Sequence, residues 1–249
     1  MDRHPLDNPI WTALTTSQAH FAEGDGLARK FQAEIGPLAG FAEPTGEAYV
    51  ALGKLVRVGT GAALFLEAPA NAVDVESGGF RMVEQDSLLQ MIYSDCELPA
   101  CSLDFVKLTE ADVPEMVALA TMMKPGPFKT RTRELGNFIG VKREGQLAAM
   151  AGERMRITSE RVGVPGERMQ AADTPGYTEI SAVCTHPNQA GHGFATALMV
   201  ELIGQIRRRN EIPILHVRSS NTHAIGLYHR IGFADRRHFH FAVIGKTAS

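Results

Sequence analysis

Two glycines, Gly191 and Gly193, lie where a strand-like segment meets a run of helix-forming residues, in "HPNQAGHGFATALM" (186–199). The first turn of a helix carries backbone N–H groups without intrahelical partners and a partial positive charge, and both attract anions. Glycine allows positive φ and lets a ligand approach the backbone closely. The segment therefore predicts either a phosphate-binding turn or a simple tight turn.

The composition favours an ordinary globular protein. The 249 residues are 44% hydrophobic and 21% charged, with a net charge of −3. This balance argues against a nucleic-acid binder that depends on a basic surface. The N-terminal segment lacks the apolar core of a secretory signal, and no apolar run approaches the ~18 residues needed to cross a membrane. We expect a cytoplasmic protein with no nucleic-acid and no membrane partner.

Metal-ligand and disulfide patterns are weak. His186, His192 and His216 lack the spacing of metal ligands, so no metal site is expected. The chain has three cysteines, too few for a disulfide framework: Cys96, Cys101 and Cys184.

A change in composition at "SDCELPACSLD" (94–104) predicts a boundary between residues 1–100 and 104–249. Before it, residues 13–38 are predicted to be mainly helical, and 48–69 to form two short strands around a Gly-Thr-Gly turn. Residues 78–94 fit a strand pair or a strand followed by a helix. No chemical motif is found in this half.

Helices and strands alternate after the boundary, which indicates an α/β arrangement. A helix over 108–123 has a Thr109 cap and is ended by "KPGPF" (124–128). A short helix, a hairpin with "KREGQ" as its turn and a loop or irregular strand pair over 158–176 follow. The last predicted elements are a strand (177–186), a helix (194–209), a strand (213–219), a helix from Asn221, and one or two closing strands.

Two separated motifs resemble the GNAT (Gcn5-related N-acetyltransferase) superfamily. They are "TEISAVCTHPNQAGHGFATALM" (178–199) and "LHVRSSNTHAIGLYHRIGFADR" (215–236), which occur in the family's order. The resemblance covers roughly residues 104–249 and implies a GNAT fold, a mixed central sheet flanked by helices. It also implies that residues 1–100 are a reduced GNAT-like half without the motif. Ala190 departs from the pattern, because the family has Arg or Gln there.

The resemblance implies acetyl-CoA as the cosubstrate. The strand at Val183, Cys184 and Thr185 would pair with the pantetheine arm, and an N–H near Val183 or Cys184 would be the oxyanion donor; ordinary sheet pairing is the alternative. Asn221 would contact CoA, cap its helix, or do both. Backbone amides of the turn and of the helix start would hold the pyrophosphate: Gly191, His192, Gly193, Phe194, Ala195 and Thr196.

The same resemblance implies an acid and a base. Tyr228 would give a proton to the leaving thiolate, with a packing role as the alternative. Glu179 lies fourteen positions before Gly193, and alternation places it on one strand face with Tyr177, Ser181 and Val183. As a partly buried carboxylate it would have a raised pKa and accept the amine's proton. A salt-bridged glutamate is the alternative, with Glu153 as the reserve base.

The function these features imply is an acetyl-CoA-dependent N-acetyltransferase that acts on a small-molecule amine by direct transfer in a ternary complex. The alternative is a CoA-binding sensor or scaffold with little turnover, which the Ala190 departure would favour. A homodimer is left open. If the family layout holds, residues around "KPGPF" line the acceptor entrance, although core packing explains them equally well: Met122, Met123 and Phe128.

Overall fold

The computed structural model describes residues 4–94, 96–98, 103–158 and 175–248. Its centre is an eight-stranded sheet of order β4-β11-β5-β10-β9-β8-β7-β6. Strands β9 and β10 are parallel, and each of the other neighbouring pairs in this sheet is antiparallel. The strands are β4 (Gly61–Leu66), β5 (Phe80–Tyr93), β6 (Val106–Lys107), β7 (Phe138–Arg143), β8 (Gln146–Ile157), β9 (Gly176–Thr185), β10 (Glu211–Arg218) and β11 (Phe233–Lys246).

A three-stranded antiparallel sheet and six helices complete the fold. The small sheet has the order β1-β2-β3, formed by β1 (Ala22–Gly24), β2 (Ala28–Phe31) and β3 (Ala39–Phe41). The α-helices are α1 (Pro9–Thr15), α2 (Gly46–Leu55), α3 (Ala72–Ser77), α4 (Val113–Met123), α5 (Phe194–Arg208) and α6 (Thr222–Arg230). The predicted mixed sheet flanked by helices is confirmed.

Helices α4 and α5 cover opposite faces of the sheet. In β8, Ala149 and Ala151 pack in the cluster that contains the apolar stripe of α5, whereas Met150 packs with Met116 and Leu119 of α4. This division follows from the alternation of side chains along a strand. Helices α2 and α3 pack with residues of β4, β5 and β11 at the other end of the sheet.

Most elements predicted after residue 104 are present. Helix α4 begins after a turn in which the Thr109 and Asp112 side chains form a capping box, and it ends at Lys124 in the left-handed region. The β7–β8 hairpin turns through Glu144 and Gly145, both with positive φ. The remaining helix and strand predictions agree to within two residues, and β11 is one strand. The predicted loop over 158–176 lies mainly outside the described residues.

The predictions for the first half were partly wrong. Residues 13–38 are not mainly helical, because α1 ends at Thr15 and a hairpin of β1 and β2 follows. Strand β1 ends at Gly24, whose φ of 115° suits glycine, and in the turn that follows Asp25 Oδ1 accepts the Leu27 N–H. Residues 48–55 are helical rather than extended, since Thr45 caps the Ala48 N–H. Residues 80–93 form one continuous strand.

Strand β5 joins the two halves of the chain. It lies between β10 and β11 and is antiparallel to both, with Leu89 opposite Val217 and His238. Residues on both sides of 94–104 therefore contribute to one sheet. The division into 1–100 and 104–249 remains a prediction from composition.

Candidate active site

The parallel strands β9 and β10 separate halfway along their length. They are paired from Gly176/Glu211 to Glu179/Ile214. Beyond these residues the two strands are no longer paired with each other, although β9 continues to Thr185 and β10 to Arg218. A cavity of about 550 Å³ lies between the separated ends. Its lining includes Ser181, Val183, Cys184 and Thr185 of β9 and residues 215–218 of β10.

A bulge in β9 contributes to this separation. Ala182 has a φ of 55°, and the register with β8 changes between Gly152/Ser181 and Met150/Cys184. Side-chain directions change with it, because Val183 packs in the cluster of α5 with Ile180, whereas Cys184 packs with α4. The expectation that simple alternation holds from Glu179 to Val183 was therefore wrong.

The glycine turn connects β9 to α5. Gly191 and Gly193 have φ of 83° and 74°, and a Cβ on either would meet no atom within 4 Å. Gly193 is the N-cap of the fifteen-residue helix α5. The first N–H groups of the helix therefore open onto an uncovered surface without side chains in the way, a geometry that suits an anion.

Side chains around the turn are organised by His192. Its Nδ1 lies 3.2 Å from the Gln189 carbonyl oxygen and 3.1 Å from that of Ala190, and its ring stacks on Phe194. The Arg143 guanidinium lies 5.0 Å from the centre of the Phe194 ring on the β7–β8 hairpin side. Phe194 itself is buried in the α5 cluster, so only its backbone can face a ligand at the turn.

Helix α6 closes one wall of the cavity. Asn221 lines the cavity and caps the helix, since its Oδ1 accepts the Ala224 N–H at 3.1 Å. Tyr228 also lines it and packs edge-on against Phe233. Burial raises the pKa of the Tyr228 hydroxyl to about 12, so this phenol keeps its proton at neutral pH.

Glu179 does not have the environment expected of a general base. It is 0% exposed, and its carboxylate accepts two hydrogen bonds from Arg154 of β8, from Nε at 2.8 Å and from Nη2 at 2.6 Å. Burial alone would raise the pKa of Glu179, but Arg154, together with His216, lowers it to about 2. The predicted raised pKa was therefore wrong, and the salt-bridged alternative describes this residue.

His216 connects Glu179 to the interior of the sheet. Its Nδ1 lies 2.7 Å from Glu179 Oε1, and its Nε2 lies 2.9 Å from Gln90 Nε2. Arg236 donates to Gln90 Oε1 at 2.7 Å, which leaves the Gln90 amide nitrogen to face the histidine. In this arrangement His216 Nε2 accepts from the Gln90 amide and Nδ1 donates to Glu179.

The cavity brings together half of the predicted site side chains. Val183, Cys184, Thr185, Ala195, Asn221 and Tyr228 line it. Gly191, His192, Gly193, Phe194 and Thr196 do not line it and instead form the adjoining turn and helix start. Glu179 lies behind the wall. The reserve base Glu153 is buried against Arg209 at 2.9 Å and does not line the cavity.

The cysteine in the wall has no unusual reactivity. Cys184 is buried, and burial raises the pKa of its thiol to about 12, so its thiolate is scarce at neutral pH. The Cys184 side chain is therefore a packing group.

Sequence reasoning missed the polar residues contributed by other elements. Four polar residues that were not predicted as site residues line the cavity: Lys124, Arg154, His216 and Arg218. A signal for Arg154 is its place shortly after the apolar run 147–152 of a predicted strand, where a buried cation requires a partner. Of the predicted entrance residues, Met123 lines the cavity, Phe128 lines an adjoining groove and packs on Phe138, and Met122 is 55% exposed.

Metal clusters and membrane-spanning helices are both absent from the part of the chain that the structure describes. No group of three or more His, Cys, Asp or Glu side chains is arranged to hold a metal ion among these residues. No helix among them is long and apolar enough to cross a membrane.

Comparisons with known proteins agree with this geometry. The family model described as FR47-like protein matches residues 165–242. A solved structure of a candidate acetyltransferase of the GNAT family from Novosphingobium aromaticivorans is 35% identical, with a TM-score of 0.84, and the alignment covers 99% of this chain and 100% of that one. A search of curated protein sequences finds no significant match.

More distant structures share the fold alone. A GCN5-related N-acetyltransferase from Kribbella flavida has a TM-score of 0.59 at 16% identity, with 97% of this chain and 96% of that chain covered. A Drosophila protein has a TM-score of 0.63 at 13% identity, with 89% and 74% covered.

Proposed function

The chain belongs to the GNAT family of acetyltransferases, and on that premise we propose that it is an acetyl-CoA-dependent N-acetyltransferase that transfers the acetyl group directly to a small-molecule amine. The observation that carries the proposal is the separation of β9 and β10 beside the glycine turn of α5. One end of this groove offers helix N–H groups to phosphate, and the other holds the half-buried phenol of Tyr228.

The residues present fit CoA. Gly191 and Gly193 leave open space where side chains would project, and the amides at the start of α5 are donors suited to a pyrophosphate. Ala190 lacks the Arg or Gln side chain that the family has at this turn. Arg143, whose guanidinium lies over the Phe194 ring, is a basic residue close to the helix start. When bound, acetyl-CoA supplies a thioester as the acyl donor.

The β9 bulge supports a role for backbone N–H groups as oxyanion donors. It takes Ala182 and Val183 out of the regular register with β8, at the point where β9 has also left β10. We assign the N–H of Val183 or Cys184 to the developing negative charge of the acyl oxygen. A donor fixed in a strand needs no reorganisation during the reaction.

Tyr228 is the proposed general acid. Its hydroxyl lines the cavity and makes no hydrogen bond to the described residues, so it is free to donate to the leaving sulfur. A phenol held protonated at neutral pH is suited to this step.

The amine's proton needs a different route from the one predicted. Glu179 is ionised, but its oxygens are occupied by Arg154 and His216, and no carboxylate lines the cavity among the described residues. We propose that the acceptor enters as the free amine or loses its proton to water. Glu179 then serves to position Arg154 and His216.

The test combines turnover with binding. Free thiol is measured with acetyl-CoA and a broad panel of amines, and calorimetry measures CoA binding with ATP as a competitor. CoA binding unaffected by ATP, with thiol release and an acetylated amine identified by mass, supports the proposal. CoA binding without turnover of any amine would favour a sensor or scaffold. Equal competition by ATP would indicate a general nucleotide site and would exclude both the transferase and the CoA sensor or scaffold.

A further inference from the structure

Arg154 presents an unused hydrogen-bonding edge to the cavity. The residue is only 7% exposed and lines the cavity wall. Its Nε and Nη2 are bound to Glu179, and no acceptor for Nη1 is present among the described residues. A Cβ built on Gly126 would lie 3.7 Å from Nη1, which places this atom beside the loop at the acceptor entrance. Nη1 is therefore left to donate a hydrogen bond to a ligand or to water in the cavity.

The charges of the cavity wall are of one sign. Its described lining includes Lys124, Arg154 and Arg218 but no aspartate or glutamate. Arg218 is paired with Glu84 at 2.6 Å and with Asp86. Lys124, at the rim, has no ion-pair partner among the described residues, so its charge is available to a ligand. A wall of this kind offers nothing to recognise a cationic amine by its charge.

The position of Arg154 is fixed from behind. Glu179 holds one side of its guanidinium, and His216 donates to the same carboxylate. The planar fork therefore points its remaining N–H groups in a set direction, which a lysine in the same place could not do. A single such edge suits a monoanionic carboxylate better than a dianionic phosphate.

Resting on the proposed function, we propose that the acceptor is an amine that carries a carboxylate close to the reacting nitrogen, as in an amino acid. Arg154 Nη1 binds the carboxylate inside the cavity, and Lys124 supplies charge at the rim. The acceptor is recognised by its anionic end, while its uncharged amine enters the space between β9 and β10.

The experiment compares acceptors that differ only at the carboxylate. An amino acid, its primary amide, its decarboxylated amine and its aminophosphonate analogue are tested at pH values matched to each amine's pKa. We expect kcat/KM for the amino acid to exceed that for the amide by ~10- to 100-fold, since a site built around a donor discriminates against a ligand that leaves the donor unpaired. The phosphonate should be a poorer acceptor than the amino acid.

Substitution of Arg154 tests the assignment to this residue. Arg154→Lys keeps a positive charge against Glu179 but loses the Nη1 edge, and should reduce the amino acid preference at least ~10-fold. Arg156→Lys is the matched control, because Arg156 lies on the same strand and pairs with buried Glu211 but is 49% exposed in its side chain and lies outside the cavity. The control should keep the preference. The double variant R154Q/E179Q removes both charges together, so a loss of preference there is not due to an unpaired buried carboxylate.

Binding is measured separately from transfer. Calorimetry measures binding of the amino acid to the CoA-saturated wild type and Arg154→Lys variant, whether or not acetylation follows. If Arg154-dependent binding is found, the carboxylate site stands even where the transferase proposal fails. Acetylation of amines and amides without preference for carboxylates would overturn the inference and leave the transferase intact. A preference for the phosphonate, or no Arg154-dependent binding of any carboxylate, would also overturn it.

Discussion

The carboxylate of Glu179 is enclosed by donors from the strands on either side of it, Arg154 on β8 and His216 on β10. Because the folded-state pKa is about 2, below the ordinary 4.5, the ionised form stabilises the fold. That contribution is complete above about pH 4.5 and is lost as the pH falls toward 2.

Glu179→Gln should therefore destabilise the protein at pH 7. Breaking one side of a buried ion pair typically costs about 3 to 5 kcal/mol, because Arg154 keeps its charge without its partner. The difference from wild type should narrow as the pH is lowered through 4.5, which urea unfolding at several pH values measures. Glu84→Gln, at an exposed pair with Arg218, is the control and should change little. Equal stability at pH 7, or a gap that widens in acid, would contradict this reading of the site.

Tyr228→Phe should lower kcat about 10- to 100-fold and leave CoA affinity close to that of wild type. General acid help is typically worth 10² to 10⁴-fold, but a thiolate leaves readily, so the lower part of that range is expected. Steady-state rates and calorimetry measure the two quantities. Tyr49→Phe is a matched control, since Tyr49 is also buried with a pKa raised to about 12, and its hydroxyl has no partner in the described structure. A wild-type kcat in Tyr228→Phe, with chemistry shown to limit the rate, would reduce Tyr228 to packing.

Residues near one another in sequence were the predictable part of the site. Asn221 and Tyr228 lie on one helix, and the glycine turn directly follows β9, so their grouping follows from local pattern. Arg154 lies 25 residues from Glu179 and joins it only because β8 and β9 are neighbours. A carboxylate's pKa depends on such partners, which is why the expected raised pKa of Glu179 was wrong.

The junction of β9 and α5 is the element on which CoA binding is expected to depend. Gly193→Val places a β-branched side chain at φ 74° and into the open space over the helix start. CoA affinity should fall at least ~10-fold, about 1.4 kcal/mol, as measured by calorimetry.

Gly145→Val separates backbone strain from the loss of the phosphate seat. Gly145 has a φ of 78° and, like Gly193, no atom within 4 Å of an added Cβ, but it turns the β7–β8 hairpin. Both variants should lose about 1 to 2 kcal/mol of stability, the cost of the left-handed region for an L-residue. Only Gly193→Val should lose CoA affinity, and unchanged binding in that variant would place the phosphate seat elsewhere.

Elements with local start and stop signals were predictable, and those defined by distant pairing were not. Local signals mark where these elements begin and end, to within a few residues: the capping box at Thr109, the αL residue Lys124 and the turn at Gly145. The stretch after α1 contains helix-forming residues, yet Phe31 and Ile35 pack against β strands of the large sheet, and tertiary contacts override such local preference. The sequence pattern of β5 was ambiguous between a strand pair and a strand followed by a helix. Its pairing partners, β10 and β11, lie more than 100 residues later in the sequence and cannot be read from the local pattern.

At the scale of the whole molecule, the first 94 residues hold the large sheet together. Removing them takes β5 away from both β10 and β11, and with it Gln90, which contacts His216. The broken edges would expose Leu89 and Met91, which are buried in the cluster of α5.

A chain of residues 95–249 should therefore fail to form a stable monomer. Size-exclusion chromatography and circular dichroism should find aggregated or poorly folded material, since unpaired apolar edges associate. Adding residues 4–94 as a separate chain should restore soluble protein if pairing of β5 is the cause. A well-folded fragment that binds CoA alone would show that the second part is independent.

The placement of β5 also has a consequence for synthesis on the ribosome. β5 is translated well before β10 and β11, the two strands that flank it in the sheet. The nascent chain must keep this apolar segment from pairing wrongly until β10 and β11 have been synthesised, and such exposed intermediates are prone to aggregation. The sheet is completed only when β11 has been synthesised, so a chain that stops within residues 233–246 would leave β5 incompletely paired on the side of β11.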